Sequence, residues 1–318
     1  RKINRIIPGE VNCLMKTDNK LYQLWICGDA HLLVDYGQIH SIASGIKAVL
    51  LKNLILENKV PGIVELIPSN TSLLISFDPR VTSAEALKEQ VTHMLDDDIE
   101  KRTNIVVPSR IIEFPILFND PWTRAAIDDY RKNVKDKPND IDFIIEQNNL
   151  SGLDELITYL TTPYYMVTYL SMGPGLPSTV CMDPRYVLSV PKYNPPRTST
   201  PPLSIGIGGS NVSLYSSSSP GGYQLFGMLA APLLQFEQKL PDFKDSPVLA
   251  RVGDRFKYKS VTRDEFDAIR AQCEEGTYRY NIDADAVFDL KEYENSVKGF
   301  SKAASNPLSR LFKRGGNR

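Results

Sequence analysis

The sequence predicts an α+β fold in which a small two-layer domain precedes a β-barrel that carries a helical insert. Strand-like segments alternate with two amphipathic helices over residues 21–105. From Tyr164 to Tyr258 the chain consists of short apolar runs separated by proline, glycine and serine turns. Alternating strands and helices are typical of a two-layer domain. Many short strands between frequent breakers favour a closed or half-closed barrel.

The first predicted domain, residues 21–105, contains four strands and two helices. The strands are expected at residues 22–26, 32–36, 62–67 and 72–77. Apolar residues recur at helical spacing between Ile42 and Leu54, which predicts the first helix. The second helix is expected to begin near Thr82, because Thr82 and Glu85 fit a capping box.

The second predicted domain spans residues 106–285. A strand at 110–117 opens it, and a helical insert follows over 119–162, where Pro121 suits a first helical turn. After the barrel strands we expect a helix at 263–274 and a short strand at 277–282. Residues 286–318 form a polar tail that is expected to be helical or disordered.

Composition argues against several classes of function. The 37 Lys+Arg balance 38 Asp+Glu, so no net field points to nucleic acid or to an anionic membrane. No apolar run approaches the roughly 20 residues that span a bilayer. The four cysteines are far apart and never form C-x-x-C, which indicates reduced, buried thiols in a cytoplasmic protein. Because the chain begins at Arg1 rather than Met, we expect a processed form or a piece of a longer protein.

Metal and nucleotide chemistry are also disfavoured. The three histidines lie in the first predicted domain at no metal-ligand spacing. The run Gly206-Ile207-Gly208-Gly209 is not a dinucleotide fingerprint, because Asn211 stands where the third glycine should fall. No Gly-Lys-Ser/Thr follows it, so it is not a phosphate-binding loop either. We therefore expect neither a metal nor a nucleotide site in this chain.

Turn-rich segments in the second domain supply the candidate site residues. These are Pro174, Gly175, Tyr193, Asn194, Arg197, Gly208, Gly209, Gly221, Gly222, Tyr223 and Gln224. An arginine can bind a carboxylate with two hydrogen bonds, and paired glycines can present backbone N–H groups to an anion. Barrel turns at one end cluster in space, so we expect Arg197 and Gly222 to share one concavity. The alternative is that these are only tight turns, with Arg197 bonded to carbonyl groups.

Several motifs occur together in the chain. They include Gly28-Asp29-Ala30-His31-Leu32-Leu33-Val34-Asp35-Tyr36-Gly37, Phe77-Asp78-Pro79 and Pro220-Gly221-Gly222-Tyr223-Gln224. In combination they resemble the carboxyltransferase C–D unit of urea carboxylase and urea amidolyase. That module is shared with the bacterial kinase inhibitor KipI and with one subunit of prokaryotic 5-oxoprolinase. Leu117-Phe118-Asn119-Asp120-Pro121 and Asn139-Asp140-Ile141-Asp142-Phe143-Ile144 are similar to the urea carboxylase branch in particular.

The resemblance implies an α+β first domain, a cyclophilin-like barrel and a function. That function is the carboxyltransferase half-domain of a biotin-dependent urea carboxylase, which moves a carboxyl group from carboxybiotin to urea and gives allophanate. In that reaction the implied catalytic residues are Tyr193, Asn194, Arg197 and Tyr223. The implied substrate- and carboxybiotin-binding residues are Pro174, Gly175, Gly208, Gly209, Gly221, Gly222 and Gln224.

The resemblance also implies partners. Biotin would be carried by another domain, and ATP would bind only at a separate biotin carboxylase domain. The carboxyltransferase A–B half, the biotin carboxylase and the biotin carrier would therefore be partners, on the same or separate chains. The chain has no nucleotide loop and no Met-Lys-Met biotinylation motif. The isolated chain is expected to be inactive.

One departure from the resemblance keeps other functions open. The family usually has Gly-Arg-Thr after its glycine motif, where this chain has Gly227-Met228-Leu229. The change removes a fixed positive charge, and such charges stabilise anions in catalytic sites. A non-catalytic, KipI-like regulatory or partner-binding protein is therefore the alternative. A 5-oxoprolinase subunit is third, because those subunits generally lack the insert at 119–162.

Overall fold

The first domain is a four-stranded antiparallel sheet with two helices on one face. A computed structural model describes residues 21–37, 41–170 and 173–300. The elements of this domain are β1 (Gln23–Cys27), β2 (His31–Asp35), α1 (Ile42–Glu57), β3 (Ile63–Pro68), β4 (Ser72–Phe77) and α2 (Ala84–His93). The strand order is β1-β2-β4-β3. Leu32, Val34, Leu73 and Ile75 pack on the helices, because side chains of one sheet face alternate along each strand.

The predicted elements of this domain are confirmed to within two residues at most ends. One detail of the prediction was wrong, because Ser83 rather than Thr82 caps α2. The Ser83 hydroxyl accepts a hydrogen bond from the Ala86 N–H at 3.1 Å. A π-helical turn, Met94–Ile99, continues α2 through the acidic run. The prediction misplaced the cap because neighbouring Thr82 and Ser83 both have capping side chains, and only the backbone conformation decides between them.

The second domain is a closed barrel interrupted by three helices. Its elements are β5 (Val106–Pro108), β6 (Ile111–Phe118), α3 (Pro121–Asn133), α4 (Asp140–Asn148), α5 (Leu153–Thr161), β7 (Tyr164–Leu170), β8 (Pro177–Cys181), β9 (Arg197–Thr200), β10 (Ser204–Gly208), β11 (Asn211–Leu214), β12 (Ser219–Gly221), β13 (Gln224–Leu229) and β14 (Arg255–Ser260). Seven strands close the barrel in the order β6-β13-β10-β11-β8-β7-β14, with β14 returning to pair in parallel with β6. The α+β class with barrel and insert is confirmed.

The helical insert covers one side of the barrel. Asp120 caps α3 by accepting hydrogen bonds from the N–H groups of Trp122 and Thr123, at 3.0 and 2.8 Å, and Pro121 occupies the first turn. Asn139 caps α4 in the same way. Helices α3 and α4 pack against β13, and α5 packs against β14. The insert is therefore a fixed layer over the strand that follows the second glycine pair.

The last described elements return to the first domain. After β14 come α6 (Arg263–Glu275), β15 (Ile282–Asp283), β16 (Val287–Asp289) and α7 (Leu290–Val297). The strand predicted at 277–282 was largely misplaced, because only Ile282 of that range lies in β15. Strand β16 pairs with β5, and Phe288 and Leu290 join the apolar core of the first domain. The tail predicted as helical or disordered thus contains a paired strand and a helix, while residues 301–318 lie outside the described residues.

No helix among the described residues is long and apolar enough to cross a membrane.

Candidate functional site

Two turns that are distant in sequence meet at one end of the barrel. Strands β9 and β12 form a separate two-stranded sheet in which Arg197 is the partner of Gly221. The Tyr193 N–H donates to the Gly222 carbonyl at 2.7 Å. The turn around residues 193–197 is therefore joined to the turn around 221–224. Arg197 and Gly222 therefore lie near each other, and their sharing of one concavity stays a prediction.

Arg197 is enclosed by protein. Its side chain is only 2 % exposed. The guanidinium donates from Nη2 to the Tyr223 carbonyl at 2.8 Å and from Nε to the Thr200 hydroxyl at 3.3 Å, and it lies 4.4 Å from the centre of the Tyr193 ring. Its remaining nitrogen, Nη1, is buried and makes no hydrogen bond within the described part of the chain. The described contacts of Arg197 thus tie the two turns together and leave Nη1 without a hydrogen bond.

Asp140 is the anion that faces Arg197. This first residue of α4 is completely buried, and its Oδ2 lies 3.8 Å from Arg197 Nη1. The same oxygen accepts a hydrogen bond from the Leu225 N–H at 2.6 Å. The other carboxylate oxygen accepts from the Tyr193 hydroxyl and from the Lys137 ammonium. A fully buried carboxylate requires such pairing, and the helix N-terminus favours its negative charge.

Sequence reasoning assigned no role to Asp140 or Lys137. Both lie in the helical insert, Asp140 within a family-like motif and Lys137 at a helix break beside Pro138. Asp140 directly follows a capping asparagine, a position where acidic residues are common for helix stability alone. Asp140 differs from such a residue because it is buried against Tyr193 and Leu225, which lie 53 and 85 positions further along the sequence.

The electrostatic environment of Tyr193 keeps its phenol protonated. Burial, then the negative charge of Asp140, raise the pKa of Tyr193 above its ordinary value. Burial also lowers the pKa of Lys137, although Asp140 acts in the opposite direction. The Lys137 ammonium lies 4.3 Å from the centre of the Tyr193 ring. Tyr193 is therefore placed to donate a hydrogen bond rather than to act as a base near neutral pH.

The other predicted polar residues surround this cluster. Gln224 is buried, donates from Nε2 to the Pro191 carbonyl at 2.7 Å, and its Oε1 makes no hydrogen bond within the described residues. Tyr223 is half-buried, with the Lys192 ammonium 5.0 Å from its ring centre. Asn194 is exposed, and its carbonyl accepts from the Lys135 ammonium at 3.1 Å. The structure brings these residues together but shows no ligand role for them.

The first glycine pair allows close packing. A Cβ on Gly208 would overlap the ring of Tyr223, so only glycine lets that ring lie against β10. Gly209 adopts a positive φ of 63°, and its N–H donates to the Val190 carbonyl at 2.8 Å. That N–H group is already engaged. The described geometry therefore gives Gly209 no free donor for the predicted anion-binding nest.

The second glycine pair offers a matched test of packing. A Cβ on Gly221 would lie 2.5 Å from both the Thr200 hydroxyl and the Tyr215 hydroxyl, whereas a Cβ on Gly222 would meet nothing closer than 3.5 Å. We expect Gly221→Ala to lower the free energy of unfolding by about 1–3 kcal/mol through overpacking. Gly222→Ala, the control, is expected to change it by about 0.5 kcal/mol or less. Urea denaturation of the chain measures both; equal effects would contradict the packing role of Gly221.

Pro174 and Gly175 lie beside an apolar cluster that borders the two joined turns. The Pro174 carbonyl accepts from the Ser216 hydroxyl at 2.6 Å, and Gly175 has a φ of 62° with Val248 against it. Leu176, the next residue, packs with Tyr215, Leu225 and Ile127, and Tyr223 borders that cluster. Residues 171 and 172 of the preceding segment lie outside the described residues. Pro174 and Gly175 therefore contact the region beside the Arg197 cluster, not Arg197 itself.

Met228 lies in the barrel wall. It is 5 % exposed, pairs with Ser204 on β10 and Leu117 on β6, and belongs to the main apolar core. The Ser204 hydroxyl beside it is buried without a hydrogen-bond partner among the described residues. The position at which the resemblance expects an arginine is therefore occupied here by an apolar side chain in an apolar environment.

One groove on the described surface lies away from this cluster. It has a volume of about 500 Å³ between the barrel and α7 and is lined by residues such as Tyr164, Arg185, Arg255 and Tyr293. None of the sequence-predicted site residues lines it. Within the described ranges, no group of three or more His, Cys, Asp or Glu side chains could hold a metal ion. The chemistry of the candidate site therefore rests on the Arg197–Asp140 cluster and the turns around it.

These features define a class: an α+β protein whose closed barrel carries a helical insert packed onto two glycine-rich turns. Residues 22–243 match the family described as the carboxyltransferase domain, subdomain C and D, so the chain belongs to that family.

Individual relatives agree with the family assignment. The chain is 34% identical over 277 residues to the urea amidolyase of Saccharomyces cerevisiae, an alignment that covers 84% of this chain and 15% of the relative. It is 28% identical to a 5-oxoprolinase subunit of Bacillus subtilis, covering 79% of this chain and 98% of that protein. The crystal structure of the Kluyveromyces lactis urea carboxylase superposes with a TM-score of 0.78 at 26% identity, covering 92% of this chain and 26% of that one. The chain thus spans a small part of the urea amidolyase and urea carboxylase chains.

Proposed function

We propose that this chain is the C–D half of the carboxyltransferase of a biotin-dependent urea carboxylase. The observation that carries the proposal is the helical insert, which the resemblance assigns to the urea carboxylase branch. Its residues Lys137 and Asp140 are built into the cluster at the glycine turns. A structural likeness to a urea carboxylase over 92% of the chain supports the same conclusion.

The reaction we propose moves one carboxyl group. The bond between the carboxyl carbon and a ureido nitrogen of carboxybiotin breaks, and a bond from that carbon to a urea nitrogen forms. One proton leaves the urea nitrogen and one proton is taken up by biotin, so the products are allophanate and biotin. A site for this reaction must bind a carboxylate, stabilise negative charge on the ureido oxygen and exclude water.

Residues of this chain could supply part of that site. Arg197 Nη1 and Gln224 Oε1 are buried polar atoms that lack hydrogen-bond partners within the described residues, and both lie on the two joined turns. Such atoms fit a site that is completed by a ligand or by another domain. Arg197 is only 2 % exposed, so a ligand would reach Nη1 only after neighbouring protein groups moved aside. Tyr193 would act as a fixed donor, and Tyr223 and Asn194 would line the entrance.

Other domains would complete the enzyme. The A–B half of the transferase would close the site over the barrel end, and a biotin carboxylase and a biotin carrier would deliver the carboxyl group. Biotin would be attached to the carrier, and ATP would be used only at the biotin carboxylase. Urea would be the acceptor substrate, and we place the protein in the cytoplasm.

The role of Arg197 in turnover can be tested in the assembled enzyme. We expect Arg197→Ala to lower urea-dependent ATP hydrolysis in the presence of bicarbonate by about a hundredfold, because a charged donor in a water-excluded site contributes about 3 kcal/mol. Arg185→Ala is the control, since Arg185 is a 55 % exposed arginine with its own partner Asp183. Unchanged turnover in a folded Arg197→Ala enzyme would show that Arg197 is a structural turn residue.

A regulatory, partner-binding protein is the second candidate, and Met228 is the observation that favours it. An apolar side chain in the core replaces the charge that the resemblance expects in the barrel's glycine motif. If no assembly with the A–B half turned over urea while the chain bound another protein tightly, this candidate would replace the first. A 5-oxoprolinase subunit is third. It would be favoured if 5-oxoproline rather than urea stimulated ATP hydrolysis.

A further inference from the structure

Two acidic residues of the insert are buried: Asp120, which caps α3, and Asp140, which faces the cations of Lys137 and Arg197. Asp142, two residues further along the same helix, is exposed, whereas Asp140 has no exposed surface. Burial of a carboxylate is unfavourable unless charges and hydrogen bonds compensate for the lost water. The helix start alone does not require burial, because an acidic residue in a first turn interacts favourably with the helix dipole at the surface.

The partners of Asp140 come from three separate segments. Lys137 belongs to the insert, Tyr193 and Arg197 belong to the first turn, and Leu225 is the second residue of β13, after the second turn. The Leu225 N–H lies 2.6 Å from Oδ2, and Arg197 Nη1 lies 3.8 Å from the same oxygen. One carboxylate therefore fixes the position of both turns relative to the insert.

Two further contacts join the insert to the first turn. The Tyr130 hydroxyl of α3 donates to the Pro195 carbonyl at 2.6 Å, and the rings of Tyr130 and Tyr193 lie 4.5 Å apart. These contacts anchor the turn without any charge. Apolar packing can replace a buried ion pair at little cost to stability, so anchorage alone does not account for a buried carboxylate with two cations.

We propose that Asp140 is a positioning residue that sets the orientation of Tyr193 and Arg197. The proposal rests on the proposed carboxyltransferase function, because orientation has consequences only if these side chains act on a ligand. The carboxylate accepts the Tyr193 hydroxyl hydrogen bond and attracts the Nη1 edge of the guanidinium at 3.8 Å, which holds Nη1 in place without a hydrogen bond among the described residues. Without the negative charge, no other ion pair among the described residues holds that edge of the guanidinium.

The test compares Asp140→Asn, Tyr193→Phe and the double variant in the reconstituted enzyme, with Asp142→Asn as the matched control. We expect Asp140→Asn to lower kcat for urea-dependent ATP hydrolysis by about a hundredfold, as small misplacements of catalytic groups do. KM for urea should change little, because the variant loses an interaction that stabilises the transition state and not the bound substrate. The double variant should lose no more than Asp140→Asn alone, since Tyr193 is oriented through Asp140.

The outcomes separate the two proposals. If the wild-type assembly shows no urea-dependent turnover, the proposed function fails and the positioning role fails with it. If the wild-type enzyme turns over and a folded Asp140→Asn enzyme has an unchanged kcat, only the positioning role is overturned. Should Asp140→Asn fail to fold, Tyr193→Phe decides. A lower kcat with unchanged KM and unchanged thermal stability supports the positioning role, and an unchanged kcat overturns it.

Discussion

Replacing Asp140 by alanine is expected to lower the free energy of unfolding by about 3–5 kcal/mol, the range observed when one partner of a buried ion pair is removed. The variant leaves Arg197, which is 2 % exposed, without its facing anion. It also leaves the Leu225 N–H and the Tyr193 hydroxyl without an acceptor. Lys137 contributes less to the loss, because its side chain retains 14% exposure and can turn to water.

A double-mutant cycle isolates the charge interaction. Asp142→Ala removes an exposed carboxylate from the same helix and is expected to change stability by about 0.5 kcal/mol or less. Combining Asp140→Ala with Arg197→Met should cost less than the sum of the single changes by about 1–3 kcal/mol, since the second change removes the orphaned charge. Chemical denaturation of the wild type, the two single variants, the double variant and Asp142→Ala gives the values. Additive losses, or an Asp140→Ala loss no larger than that of Asp142→Ala, would show that the pair is not coupled.

The parts of the fold that were predicted correctly are those with strong local signals. Alternating apolar residues marked β2 and β4, helical spacing marked α1, and Pro121 marked the start of α3. Proline and glycine turns bounded the barrel strands. Strands β5 and β16 were missed because each has three residues, too few for a periodic pattern. The two strands pair with each other although nearly the whole sequence of the second domain separates them. Their pairing depends on tertiary contacts that no local window contains.

The site was predictable only in part, and for the same reason. Pro-Pro-Arg and two glycine pairs pointed to turns, and the structure joins those turns through Tyr193, Arg197, Gly221 and Gly222. Residue type also suggested that Arg197 would meet a carboxylate. The carboxylate it faces in the chain is Asp140 from the insert, whose burial no sequence pattern reveals. The catalytic and binding roles assigned from the sequence remain predictions.

Alkaline unfolding is the second large effect that we expect. Burial raises the pKa values of Tyr165, Tyr258 and Tyr280 above the ordinary value of 10.0. Above pH 10 the unfolded chain releases these phenolic protons and the folded chain retains them. The unfolded state then binds fewer protons, so the free energy of unfolding falls as pH rises. The contribution of these phenols to the free energy of unfolding is fully present well below pH 10. At pH 11 about 1.4 kcal/mol of it is lost for each tyrosine, or about 4 kcal/mol for the three together.

A phenylalanine variant attributes this loss to a particular group. Tyr258 is buried beside Tyr165, with ring centres 4.6 Å apart, and its hydroxyl contacts the Thr179 hydroxyl at 3.1 Å. Removing the hydroxyl costs some stability at neutral pH, so the comparison uses the slope of stability against pH rather than its value. We expect Tyr258→Phe to reduce the steepness of that slope between pH 10 and 11 by about 1 kcal/mol per pH unit, because half of the unfolded chain's phenols are already ionised at pH 10. Tyr164→Phe, at a 41 % exposed position, is the control. Denaturation at each pH, with phenolate absorbance recorded in parallel, tests the expectation. Ionisation of the Tyr258 phenol near pH 10 in the folded chain would contradict the expectation. A phenol with the same pKa in the folded and unfolded states does not make the free energy of unfolding depend on pH.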